Sequence, residues 1–78
     1  MIIEIDGYWG SVCLSGKKCS KQRISEMYRQ TKEMVTYIQD FPDMFCRLYG
    51  FDRIPYSDEV SIDLVLDTDT DHIYTPFE

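Results

Sequence analysis

SKQRISEMYRQTKEMVTYIQ, residues Ser20–Gln39, is the stretch on which the reading of the fold turns. Ile24, Met27, Tyr28, Thr31, Met34, Val35 and Ile38 recur at three- and four-residue steps, which on a helix makes one apolar stripe. Gln22, Ser25, Glu26, Arg29, Lys32, Glu33 and Thr36 fall on the other side. Ser20 is suited to the N-cap, where its hydroxyl accepts a backbone N–H left open at the first turn. About nineteen helical residues span roughly 28 Å. A lone amphipathic helix is marginal in water, so this one must lie on a surface, and the flanking segments read as strands that supply it.

Before the helix, Ile2 to Ile5 is a short β-favouring run. Asp6-Gly7 is a dipeptide suited to a type I′ turn. If Tyr8 to Leu14 returns antiparallel, Ile3 and Ile5 share a face with Tyr8, Gly10, Val12 and Leu14, and register and hydrophobicity agree. Ser15 to Lys18 then turns into the helix cap. After the helix, Pro42 disfavours helical geometry at Phe41 but suits the first turn of a new helix. Asp43 to Tyr49 is expected to form that short helix, with Met44, Phe45, Leu48 and Tyr49 apolar and Gly50 closing it.

Phe51 to Tyr56 reads as an aromatic connector around Pro55. In the next strand, Val60, Ile62, Leu64 and Leu66 alternate with Ser61, Asp63, Val65 and Asp67. A two-residue loop at Asp69-Thr70 places Ile73 on the face of Leu66, with His72 and Tyr74 outward. The expected fold is a single α+β domain over residues 1–78, β-β-α-α-β-β. One antiparallel sheet packs against one long and one short helix. Seventy-eight residues leave no room for a second core.

Motif chemistry is mostly excluded. GSVCLSGKK, Gly10 to Lys18, has the setting of a phosphate-binding loop but not its spacing. Five residues separate its glycines where four are needed, and Lys18 replaces the magnesium-binding hydroxyl. DTDTDH, Asp67 to His72, alternates carboxylates as a calcium loop does. His72, however, stands where only Gly takes the sharp turn, and Pro76 interrupts the segment. His72, the sole histidine, has no nucleophile placed for it in sequence. We therefore expect no catalytic residue, no metal ligand and no cofactor. Cys13, Cys19 and Cys46 form no CxxC pair and read as reduced thiols of a cytoplasmic protein, although a Cys13–Cys19 bridge would close only a short loop. The N-terminus has neither the basic region nor the apolar length of a signal peptide, and no stretch reaches membrane-spanning length.

Charge and aromatics carry the functional expectation. The net charge is −6, which disfavours nucleic acid and anionic membranes as partners of the whole molecule. Lys17, Lys18, Lys21, Arg23, Arg29 and Lys32 face only Glu26 within their stretch. From Asp52 onward Asp52, Asp58, Glu59, Asp63, Asp67, Asp69, Asp71 and Glu78 face only Arg53. The cations around the helix start oppose its dipole, so either the acidic hairpin lies near them or they hold an external anion.

Six Tyr, four Phe and one Trp exceed what so small a core needs. Tyr28, Phe41, Phe45 and Phe51 suit the interior, whereas Trp9, Tyr37, Tyr56, Tyr74 and Phe77 suit the surface. Aromatics beside carboxylates are how a surface for a basic partner is built. The leading expectation is a small, non-enzymatic protein-binding module. Trp9, Tyr56, Asp58, Glu59, Asp63, Asp67, Asp69, Asp71 and Tyr74 would meet a basic surface of another protein. Size and charge, without a motif, place it beside inhibitors that imitate nucleic acid and occlude nucleic-acid-binding enzymes, as anti-restriction and anti-CRISPR proteins do. The first alternative is an anion or nucleic-acid-backbone binder using Lys17 to Lys32, and the second a metal-dependent enzyme or sensor at Asp67 to His72.

Overall fold

A computed structural model describes residues 1–55 and 61–76. Strands β1 (Ile2–Gly7) and β2 (Gly10–Ser15) precede helix α1 (Lys21–Met34). A 3-10 turn (Ile38–Asp40) leads into helix α2 (Phe41–Tyr49). Strands β3 (Asp52–Ile54), β4 (Leu64–Asp67) and β5 (His72–Tyr74) follow. The five strands form one sheet in the order β3-β2-β1-β4-β5.

The α+β class is as the sequence predicts, but the sheet is mixed and not antiparallel throughout. β1 pairs with β4 in parallel, Ile3 beside Leu64 and Ile5 beside Leu66. A parallel pair needs a long crossover, which everything from β2 to β3 provides. Ile3 and Ile5 are fully buried, and the central position gives both a neighbour on each side. Both ends of the pair are clamped. At one end the Asp63 N–H donates to the Ile2 carbonyl (2.8 Å) while the Ile2 N–H donates to Asp63 Oδ2 (2.8 Å). At the other, the Thr68 N–H and hydroxyl both donate to the Asp6 carbonyl, at 2.9 and 2.7 Å.

The first hairpin keeps the predicted faces but not the predicted turn. Ile3 pairs with Leu14 and Ile5 with Val12, so the chain reverses at Tyr8-Trp9, and Asp6 and Gly7 belong to the strand. The positive φ falls on Gly10 (117°). Relative to a turn at Asp6-Gly7 the register moves by an even number of residues, so Val12 and Leu14 stay on the face of Ile3 and Ile5, whereas Tyr8, expected on that face, lies in the turn and is exposed. The second hairpin has the predicted register, Leu66 opposite Ile73 and Asp67 opposite His72. Asp52 to Ile54, expected within a connector, is a strand against β2. The strand expected from Val60 is ordered as β only from Leu64; Val60 itself lies outside the described residues.

Ser20 caps α1 as expected, its Oγ accepting from the Arg23 N–H at 3.1 Å. The helix is shorter than its periodicity implies. Val35 leaves helical geometry (φ −91°, ψ 140°), and Met34 is 56% exposed, outside the core. Val35, Thr36 and Tyr37 are a run of β-branched and aromatic residues with weak helical preference. α2 begins at Phe41, with Pro42 in its first turn. It ends on Gly50 (φ 72°, ψ 27°), whose N–H donates to the Cys46 carbonyl. Leu48, expected on its apolar side, is exposed.

Both helices lie on one face of the sheet. Ile3, Ile5, Leu14, Leu64 and Leu66 meet Ile24, Met27 and Tyr28 of α1, Phe41 and Phe45 of α2, and Phe51. The four aromatics predicted for the interior are all there. All three cysteines are free. Among the described residues, no helix is long and apolar enough to cross a membrane.

Candidate functional site: an acidic row on the helix-free sheet face

Side chains alternate across a pleated strand, so the residues between the core positions face the other way. Strand pairing aligns Ser11, Asp6, Asp67 and His72 as one row across β2, β1, β4 and β5. The next row runs Ile54, Cys13, Glu4, Val65 and Tyr74. Neither helix covers this face. Cys13 and Val65 are buried within it, Glu4, Asp6, Asp67 and Tyr74 are half-buried, and His72 is exposed. Burial, reinforced by Glu4 and Asp6, raises the Cys13 thiol above its ordinary value.

Asp6 is the centre of the row. Burial, then the charge of Glu4 and a side-chain hydrogen bond with it, then Asp67 and Asp69, push its carboxyl up to about 6. Its Oδ1 is shielded from solvent and has no hydrogen-bond partner among the described residues. Asp67 Oδ1 accepts from the backbone N–H groups of Asp69 (2.9 Å) and Thr70 (3.4 Å), an Asx turn that organises the β4–β5 loop. Tyr74 stacks on His72 at 5.3 Å between ring centroids. Burial and then the Asp6, Asp67 and Glu4 charges raise its phenol.

The structure brings together only some of the residues expected to bind a partner. Asp67, Asp69 and Tyr74 gather around the row. Asp63 lies at the opposite end of β4, bonded to Ile2. Asp71 turns toward α1, where its Oδ1 accepts from the Tyr28 hydroxyl (2.6 Å) and pairs with Lys32. Those two partners lower its carboxyl, and burial followed by Asp71 raises the Tyr28 phenol. Trp9 folds over Gly7 on the helix-covered side, half-buried against the core. Tyr56, Asp58 and Glu59, also expected in the site, lie outside the described residues, as does Phe77. Glu4 and Asp6 went unpredicted. Pairing of β1 with β4, distant in sequence, is what carries them into the site.

The cations around the start of α1 are not met by the acidic hairpin. Among the described residues, Arg23 pairs with Glu26 and Arg53 with Asp43, and the hairpin takes Lys32, about three turns beyond the start of α1. Cys13, the cysteine on the row's face, is separated from His72 by the full width of β1 and β4, roughly 14 Å at the usual strand spacing. The two therefore form no nucleophile–base pair. No cluster of three or more His, Cys, Asp or Glu suited to a metal ion occurs among the described residues. Comparison of the chain with protein-family models, with curated proteins and with solved structures finds no match among any of them.

Proposed function

We propose that this protein is a non-enzymatic binding module whose helix-free sheet face engages a basic surface of another protein. Glu4, Asp6, Asp67 and Asp69 supply charge, and Tyr74 with His72 supplies a flat aromatic contact at the edge. The observation that carries this reading is the placement of Asp6 directly beside Asp67 on neighbouring strands. Like charges in that position destabilise a sheet, and a local rule broken at the cost of stability is expected where a function needs it. A cationic side chain laid over the row would relieve the repulsion and satisfy the shielded oxygen of Asp6. Nucleic-acid-binding enzymes present such cationic surfaces, so an inhibitor that stands in for nucleic acid fits the same chemistry.

The test uses the folded protein, biotinylated, as bait in an extract of its source cell. The wild type and a Lys17→Ala, Lys18→Ala, Lys21→Ala triple variant should retain the same basic protein, and an Asp6→Asn, Asp67→Asn double variant should lose it. If the lysine variant loses its partner while the aspartate variant keeps it, the binding surface is the start of α1. The protein is then an anion or nucleic-acid-backbone binder.

A further inference from the structure

The outer edge of β5 is free among the described residues, since β5 pairs only with β4. Its two sides differ in character. On one side His72 and Tyr74 continue the acidic face of Glu4, Asp6 and Asp67. On the other, Ile73 borders a groove of about 410 Å³ between β5 and α1, with Tyr28 in its lining. The charges that line this groove cancel. Lys32 is paired with Asp71, and Arg29 stands one helical turn from Glu33. The groove therefore attracts no particular sign of charge, and its apolar contact comes from Ile73 and the Tyr28 ring, whereas the sheet face one pleat away is acidic.

Resting on the acidic-face reading above, we infer that β5 takes up an extended segment of the partner as a sixth strand. That segment alternates apolar residues, which enter the groove beside Ile73 and Tyr28, with lysine or arginine, which lie over His72, Tyr74 and the acidic row. Backbone pairing along a sheet edge supplies affinity, and alternate side chains supply selectivity. The one or two cations that pair along β5 would stand beside the stacked His72–Tyr74 pair, within reach of a cation–π contact with the Tyr74 ring. β5 has only three residues, so the pairing is short and the alternation must do much of the discriminating.

The probes are two synthetic peptides of identical composition, seven residues of lysine and valine. One alternates strictly from a terminal lysine, and the other has its four lysines grouped at one end. The alternating peptide should bind about fivefold or more tightly than its isomer. Amide exchange at the β5 N–H groups that face the open edge, alternate along His72–Tyr74, should slow on adding it and not on adding the isomer. Ser25→Trp, which fills the groove without touching the sheet face, should erase the preference. The exchange measurement on the wild type stands even if that variant fails to fold. Equal binding of both peptides with unchanged β5 exchange overturns strand addition and leaves the acidic-face reading standing. Failure of both peptides to bind overturns the two together. A concentration-dependent dimer in sedimentation, with the edge-facing β5 amides protected before any peptide is added, assigns the edge to a second copy and also overturns the inference.

Discussion

Asp6 holds its proton to about 6, against an ordinary 3.8, and the sign of its effect on stability follows. Between pH 4 and 6 the folded protein carries a proton that the unfolded chain has released, so this carboxyl's contribution falls as pH rises through that window and stays low above it. Asp71 acts in the opposite sense. Its carboxyl is lowered by Lys32 and Tyr28, so its contribution is present above the unfolded value and is lost as pH falls through the folded one. Asp6→Asn should therefore raise the melting temperature at pH 7 and leave it nearly unchanged at pH 4. Asp6 is only partly buried, and allowing for solvent screening the gain is on the order of 1 kcal/mol. Paired thermal melts at the two pH values check this, and a gain at pH 4 equal to that at pH 7 would exclude the carboxyl cluster as its source. Gly16 is constrained by packing alone. A Cβ there would stand 2.6 Å from the Phe51 ring, and the Met1–Gly16 backbone bonds hold the strand end in place. Gly16→Ala should cost about 1–3 kcal/mol in urea denaturation, as overpacking of a buried site does, while Lys17→Ala next to it should cost almost nothing.

Among the elements, those legible in the sequence are held together by neighbours along the chain. The Ser20 cap, the Pro42 start and Gly50 end of α2, and the Leu66–Ile73 register are all written within a few residues of where they act. β3 was not legible. Asp52 and Arg53 are exposed and only Ile54 is half-buried, so no alternation marks the strand, and it exists because β2 offers an edge. The apolar period overstates the length of α1 for a related reason. Met34, Val35 and Ile38 continue the apolar period, but the chain leaves the helix at Val35, and Ile38 reaches the core from the 3-10 turn instead. The difference is measurable. Ile24→Asp and Phe45→Asp should unfold the domain, since each places an uncompensated charge at a fully buried position. Met34→Asp should fold, with a circular dichroism spectrum and melting temperature close to those of the wild type. Equal destabilisation by Ile24→Asp and Met34→Asp would mean that the helix continues through Met34 against the core.

At the scale of the whole molecule, the charge excess of the C-terminal half was legible, but its focus was not. Counting carboxylates along the chain credits Asp63 and Asp71, which serve the fold, and passes over Glu4 and Asp6, which reach Asp67 only through the parallel β1–β4 pairing. That pairing also predicts how binding responds to pH. A cationic partner favours the fully ionised cluster, so association must expel the proton that Asp6 shares with its surroundings. Facing it are Glu4 on its own strand, Cys13 on β2, Asp67 on β4, Asp69 in the loop, and Tyr74 and His72 on β5. Affinity for the alternating lysine–valine peptide should rise between pH 5 and pH 7 by up to about tenfold, the ratio set by a group titrating near 6. Titration calorimetry near pH 6 in two buffers of different ionisation enthalpy should then show proton release on binding. His72 faces the same surface, and two variants separate the contributions. If Asp6 carries the effect, His72→Gln keeps the rise and the proton release, whereas Asp6→Asn flattens both while still binding. A pH dependence that survives Asp6→Asn and vanishes in His72→Gln would move the control of this surface from the strand row to its edge.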